Sequence, residues 1–237
     1  NLNSTSVTFV VDNVVGTQTI NSPTNTTYTT SSINFNITSS EVGTGSIVPN
    51  LDSSLVSWWR MDDTNGSANS VVDYLGRNNA TAVNAVQTDA GKLGKGMSFD
   101  GAGDYIRLGT GPSLNGTINF TVMAWIKTNQ DAYQYIIAQR NGGYMGTYIL
   151  QTSTVGTGRV RFIIQGTDGA NQCDFFSVAD LADNNWHQVV GIRNGTNCSI
   201  YVDGVYNAGG SGIIKSLSSS ISTSIGANIR DSDSYFN

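Results

Sequence analysis

Charge is scarce in this chain of 237 residues, where Asp, Glu, Lys and Arg together make up 12%. A long surface helix needs a charged face, whereas thin charge with 27 glycines and abundant Asn, Ser and Thr suits short strands and turns. The 12 Lys and Arg are scattered singly in a chain of net charge -5. No basic stripe is present to neutralise a phosphate backbone, which argues against nucleic acid as a partner. No apolar run approaches the roughly 20 residues that a membrane-spanning helix needs, so no membrane span is expected. The chain does not begin with Met and shows no signal peptide, and Asn1 is expected to be a processed or excised start.

The catalytic inventory is equally thin. Glycoside cleavage usually takes two carboxylates, about 5–5.5 Å or about 6.5–9.5 Å apart. Glu41 is the single glutamate, and the pairs Asp62/Asp63 and Asp231/Asp233 read as loop residues. The single histidine, His187, has no Ser or Cys nucleophile identifiable beside it in sequence, so a nucleophilic triad is unsupported. Two cysteines and one histidine are too few for a structural zinc site. The expectation is a protein that is not an enzyme.

The stretch that organises the chain is residues 186–204, WHQVVGIRNGTNCSIYVDG. Two β-rich runs flank Asn194-Gly195, a dipeptide that accepts the positive φ angles of a tight hairpin turn. With a loop of two or four residues, His187, Val189 and Gly191 share a face with Cys198, Ile200 and Val202, suited to a core. Trp186, Gln188, Val190, Ile192, Tyr201 and Asp203 take the other face, because side chains alternate with period two.

Upstream, residues 55–63 read as a strand on which Trp58 and Trp59 point oppositely, with one of them in the core. Residues 65–79 read as a polar loop and 80–86 as a short strand. Residues 99–108 read as strand–turn–strand, bent at Asp100-Gly-Ala-Gly. Residues 118–128 form the longest candidate, with Phe120, Val122, Ala124 and Ile126 facing one way and Thr121, Met123, Trp125 and Lys127 the other. Further strands are expected at 135–138, 148–151, 160–165, 173–178 and 221–229. The fold class is all-β: an antiparallel jelly-roll sandwich spanning 51–237, with a strand-rich N-terminal extension and linker at 1–50.

Three blocks in this region carry a resemblance: the W-H-x-V…YVDG hairpin, MSFDGAGDYIRL at 97–108 and FTVMAWIK at 120–127. In order and spacing they resemble the laminin-G-like domains of the concanavalin A-like lectin/glucanase superfamily, from about Leu51 to Asn237. That fold hosts lectins, adhesion modules, glycosidases and structural subunits, so the resemblance speaks to fold more than to function. Its endoglucanases carry an E-x-D-x-E strand motif, which is missing here. The resemblance also implies a further strand of the G-x-I-D-E-V type after a stretch like IGANIRDSDSYFN. Its absence would leave an open sheet edge.

Residues 1–50 read differently. Val7, Phe9 and Val11 alternate on one candidate strand, and Ile33, Phe35 and Ile37 on another, with residues 43–50 as a linker. The INSPTNTTY…INFNITS pattern resembles the opening strands of immunoglobulin-like repeats in large surface proteins. About three strands are too few to close such a sandwich. Three outcomes stay open for this segment. It donates a strand to another copy of the chain, it completes its own domain, or it is the edge of a preceding repeat.

Four kinds of site are expected. Cys173 and Cys198 lie in separate strands and are either bridged, as an oxidising compartment favours, or two buried thiols. Sequons fall at Asn3, Asn25, Asn36, Asn65, Asn79, Asn115, Asn119, Asn194 and Asn197, in keeping with a secreted, extracellular or cell-surface protein. The resemblance implies Ca²⁺ at the sandwich rim, for which Asp100, Asp104, Asp231 and Asp233 are the candidates, against a reading in which Asp100 and Asp104 cap a turn. Sugar stacking has Tyr133, Tyr135, Tyr144 and Trp125 available, of which Tyr144 and Tyr135 are the candidates, and the Asn141-Gly-Gly-Tyr-Met-Gly loop is the candidate groove edge. The functional expectation is an extracellular structural or adhesive protein that self-assembles by strand donation. A carbohydrate-binding, lectin-like module is the alternative.

Overall fold

The structure is a computed structural model. It describes residues 54–62, 69–112, 114, 118–140, 147–154, 158–213, 217, 222–228 and 235–237, together with the backbone of four short strands nearer the N-terminus. The chain divides into two compact units, Asn1–Leu55 and Val56–Asn237.

In the first unit, β1 (Thr8–Val10) pairs with β4 (Val48–Asn50), and β2 (Gln18–Ser22) with β3 (Asn36–Ser39), both antiparallel. The sequence reading is corrected in one respect: residues 48–50 are a strand and not the end of a linker, because β1 supplies them a ladder partner. Phe9 lies in β1 and Ile37 in β3. Val7, Val11, Ile33 and Phe35 lie outside the described residues.

The second unit opens with β5 (Ser70–Val71), β6 (Ala80–Val83), β7 (Val86–Thr88), β8 (Gly96–Ser98) and β9 (Tyr105–Gly109). Then come β10 (Asn119–Ile126), β11 (Tyr135–Gln139), β12 (Thr147–Ser153), β13 (Arg159–Gln165) and β14 (Asn171–Phe176). The last are β15 (His187–Asn194), β16 (Asn197–Val202), β17 (Val205–Ser211) and β18 (Thr223–Ile225). Every pairing among the described residues is antiparallel. Eight strands form one sheet in the order β14-β13-β12-β11-β18-β9-β6-β5, and four form another in the order β10-β15-β16-β17. Among the described residues no helix is long and apolar enough to cross a membrane.

The two sheets enclose one apolar core. Tyr148, Leu150, Phe162 and Ile164 enter from the large sheet, and Ile126, Val189, Ile200 and Val202 from the small one. This all-β sandwich is the architecture expected from the alternating patterns. The burial of β10 alternates as the sequence implies, with Phe120, Val122, Ala124 and Ile126 inward. β12 departs from alternation: all seven positions are buried, since Ile149 packs with Tyr135, Ala138 and Ile163 on the sheet's second face. Cys173 of β14 and Cys198 of β16 are disulfide-bonded, with Cα atoms 6.1 Å apart, and so tie the large sheet to the small one inside the core. Gly191 sits where β15 meets Phe162: a Cβ there would come within 2.6 Å of the ring.

The start of the sandwich is organised by a residue that the sequence left inconspicuous. Asp73 is completely buried, and its carboxylate accepts backbone N–H bonds from Trp58 (2.8 Å), Leu75 (3.3 Å), Arg77 (3.2 Å) and Asn78 (3.0 Å). Residues 55–62 are therefore corrected from a strand to a segment with one β-bridge, Trp59 to Asp73. Trp59 packs on a second core of Val71, Ala80, Ala82, Ile106 and Leu108, while Trp58 stacks edge-on with Tyr74. The 65–79 stretch contains β5 and the buried Val71, so it is not wholly a polar loop.

Candidate binding face

The organising hairpin is β15–β16, and its register places each side chain. Val189 pairs with Val202, Val190 with Tyr201, Gly191 with Ile200, Arg193 with Cys198 and Asn194 with Asn197. The two-residue loop is thus Gly195-Thr196, one position later than Asn194-Gly195. Gly195 takes φ +59° as the first loop residue, while Asn194 stays in the ladder. That is the position where a two-residue hairpin turn favours glycine. Val189, Gly191, Cys198, Ile200 and Val202 are buried on the inward face as the period-two reading implies, whereas His187, expected on the same face, is only half-buried.

The outward set forms rows across the four-stranded sheet. One row is Met123–Val190–Tyr201–Tyr206, each residue being the register partner of the next. Met123 is 60% exposed and Tyr206 56%, with Tyr201 half-buried between them. The Tyr201 and Tyr206 rings meet edge to face, with centroids 5.7 Å apart. In the adjacent row Trp125 pairs with Gln188, and the Lys92 ammonium stands 4.9 Å from the indole centre. At the turn end Asn119, Asn194 and Asn197 form a further row, closed by Ser211. Sequence reasoning found Met123, Trp125, Val190 and Tyr201 as outward residues but missed Tyr206. β17 reads VYNAGGS and lacks an alternating pattern, and a bulge between Ile200 and Tyr201 shifts its phase. That bulge also turns out Asn207, whose carboxamide oxygen accepts from the N–H groups of Val178 (2.5 Å) and Ala179 (3.0 Å).

His187 begins β15 at the sheet's rim. Its Nδ1 lies 2.7 Å from Asp203 and its Nε2 3.1 Å from Asp183. Asp203 also accepts the Gln188 N–H at 2.8 Å, and Asp183 the Asn185 N–H at 2.8 Å. Burial opposes a charge on His187, yet hydrogen bonding and attraction from both carboxylates outweigh it and raise its pKa. Asp183 is held down to about 2, first by the Asn185 amide donors and further by His187. Burial works against ionised Asp203, but His187 and the Gln188 N–H leave its pKa lowered. This is the hydrogen-bonded structural histidine expected, and it ties the turn after β16 to the loop before β15.

The other candidate residues are placed as follows. Asp104 is buried and accepts the Asp100 N–H at 2.9 Å, and Asp100 accepts the Ala102 N–H at 2.7 Å. Both carboxylates serve their own turn. Asp231 and Asp233 lie outside the described residues, and among the described residues no three His, Cys, Asp or Glu side chains gather to hold a metal. Tyr135 is 7% exposed and hydrogen-bonds Arg140, so it presents no free ring face for a sugar. Burial on the second face of the large sheet removes it as a stacking residue. Tyr144 lies outside the described residues, as do Asn3, Asn25, Asn65 and Asn115, and Asn36 is described only in backbone. Asn79, Asn119, Asn194 and Asn197 are exposed, and three of these four share the turn-end row.

Two antiparallel sheets stacked over one core, with a hairpin sheet turned outward, define a lectin-type β-sandwich. A family model of the concanavalin A-like lectin/glucanases superfamily matches residues 100–237, and the chain belongs to that superfamily. Among solved structures it is similar to the binding domain of Paraclostridial mosquitocidal protein 1, at 13% identity and TM-score 0.54 over 67% of this chain. It is also similar to domain 4 of AbnA, an extracellular arabinanase of Geobacillus stearothermophilus in complex with arabinotriose, at 16% identity and TM-score 0.51 over 66% of this chain. The chain spans 42% of the first of these and 77% of the second. Identities this low make the likeness one of fold. No curated protein matches the chain.

Proposed function

We propose that the chain is a non-catalytic module of an extracellular surface protein, structural and adhesive in role, which self-assembles by strand addition. The observation that carries this reading is the outer edge of β10. This strand has eight residues and, among the described residues, pairs only with β15. Its inward Phe120, Val122 and Ala124 are only half-buried, whereas Val189 and Ile200 beside them are fully buried. A long edge with unpaired backbone groups beside a partly open core is a template for another strand.

The donor segments are those carrying Val7, Phe9 and Val11, or Ile33, Phe35 and Ile37. Where described, they sit in two-stranded ladders, which are marginal by themselves and cost little to exchange. A head-to-tail exchange does not close and so builds a filament. The Cys173–Cys198 bond supports an oxidising compartment and with it an extracellular location. Removing residues 1–50 is expected to abolish assembly, read by sedimentation velocity. A peptide of residues 30–40 added back is expected to raise the truncated domain's melting temperature. A full chain that is monomeric at high concentration, with a truncation of unchanged stability, would overturn the reading. The second reading, a lectin-like module, is favoured by the exposed aromatic row on the small sheet.

A further inference from the structure

We propose that Asn194, at the tip of the β15–β16 hairpin, is a site of N-linked glycosylation, and that the fold closes the two neighbouring sequons, at Asn119 and Asn197, to the same reaction. The inference rests on the extracellular reading given above and is independent of strand addition.

The register brings three sequons together. Asn119-Phe120-Thr121, Asn194-Gly195-Thr196 and Asn197-Cys198-Ser199 lie on three adjacent strands, with Asn119 paired to Asn194 and Asn194 to Asn197. All three asparagines are exposed. Residues directly opposite each other stand about 4.5–5.5 Å apart, which is close to the width of a single sugar ring. The row therefore has room for one glycan and not for three.

Backbone freedom decides which asparagine receives it. Acceptor sequons lie in surface loops, where the chain can bend into the transferase. A strand resists that bend, since it holds residues i and i+2 about 6.8 Å apart. Residues 119–121 are ladder throughout, and the Phe120 ring packs against Tyr148 and Phe162, with centroids 5.7 and 6.3 Å away. Residues 197–199 are paired on both sides, to β15 and to β17, and Cys198 is bonded to Cys173 in the core. Residues 194–196 differ. Asn194 is the last ladder residue of β15, and Gly195 and Thr196 are the loop. Gly195 takes φ +59°, and no atom comes within 4 Å of the position a Cβ would occupy there. Thr196 is exposed, so the hydroxyl that the sequon requires is accessible.

The carboxamides divide in the same way. Asn119 Oδ1 accepts the Gly195 N–H at 2.8 Å, and Asn197 Oδ1 accepts the Ser211 hydroxyl at 2.9 Å. Asn194 makes no side-chain hydrogen bond among the described residues, so its carboxamide can turn toward an enzyme. The co-substrate is an oligosaccharide joined through phosphate to a polyprenyl lipid. Asn194 Nδ2 attacks the anomeric carbon, and the new C–N bond forms as the C–O bond to phosphate breaks. The phosphorylated lipid leaves with the electron pair, and the Nδ2 proton passes to a carboxylate of the transferase. Ile118, 41% exposed, adjoins this turn through its carbonyl, and a hydrated glycan beside it would screen that apolar side chain.

The test incubates the folded full chain, made without glycans, with an oligosaccharyltransferase that accepts N-x-S/T and with its lipid-linked donor. Mass spectrometry with electron-transfer fragmentation reads each asparagine separately. Synthetic peptides carrying one sequon each are the unfolded reference, and all three are expected to accept glycan. In the folded chain Asn194 is expected to be modified, with Asn119 and Asn197 left bare. Thr196→Ala is expected to reduce transfer at Asn194 to background with an unchanged circular dichroism spectrum, while Thr196→Ser retains it. A folded chain that stays bare at Asn194 while its peptide is modified would overturn the proposal. So would a folded chain modified as readily at Asn119 or Asn197, or one carrying two glycans within the row. Transfer that survives Thr196→Ala would also refute it. The reaction is run on purified chain, so its failure is distinct from that of the extracellular reading, which fractionation of the producing cells tests separately.

Discussion

Replacing Asp73 by Ala removes a fully buried carboxylate from four backbone N–H groups at once. A hydrogen bond to a charged group contributes about 1.5–3 kcal/mol, so a simple sum over four would approach ~10 kcal/mol. That sum overcounts, because bonds sharing one acceptor are not independent. The loop at Leu75 to Asn78 relaxes and water reaches some of the freed donors. Breaking a buried charged network from one side costs about 3–5 kcal/mol, and that is the expected loss for Asp73→Ala. At about 2–4 °C per kcal/mol for a domain of this size, the melting temperature falls by roughly 6–20 °C. Urea unfolding followed by tryptophan fluorescence is the assay, since Trp58 and Trp59 adjoin the site. An unchanged m-value would show that stability itself has moved. Asp62→Ala is the control: that carboxylate accepts one backbone N–H, from Lys95 at 2.6 Å, and its loss is expected to cost about 1 kcal/mol. Should Asp73→Ala cost no more than Asp62→Ala, the carboxylate does not organise this segment, and the four N–H groups find equal partners without it.

Reducing the Cys173–Cys198 bond, whose partners are 25 residues apart, is expected to lower stability by about 3.5 kcal/mol by loop entropy. Paired urea curves with and without reductant read it, and coincident curves would contradict it. Placing Val at Gly191 drives a methyl-bearing carbon into the Phe162 ring; a loss of about 1–3 kcal/mol is expected, eased when Phe162→Leu is added. A double mutant whose losses simply add would show that the two side chains do not meet. His187 has a raised pKa, so the stability it contributes is complete below its unfolded value near 6.5 and is lost as pH rises through the higher folded value. His187→Gln is therefore expected to flatten the fall in melting temperature above neutral pH, and an unaltered pH profile would count against the clamp.

How much of this was legible in the sequence depends on the range of the interaction involved. Period-two alternation made the inward and outward sides of β10 and of the β15–β16 hairpin readable, because side-chain direction along one strand is a local property. The family resemblance in the FDGAGDY, FTVMAWIK and YVDG blocks was readable for the same reason. Each block carries turn residues and a strand face within about a dozen positions. Tyr206 was not readable, since its place beside Tyr201 rests on a bulge that only the pairing of β16 with β17 creates. Nor was Asp73, whose N–H donors come from Trp58 on one side and from a loop that the composition marks as merely polar on the other. Tyr135 was misjudged because its burial depends on the second face of a central sheet, and no periodicity in β11 reports what covers that face. The sequence alone determined which residues face together along a strand. Which strands lie side by side, and hence which rows of residues exist to meet a partner, was decided only by the tertiary structure, because hydrogen-bonded pairing joins residues that are far apart in the chain.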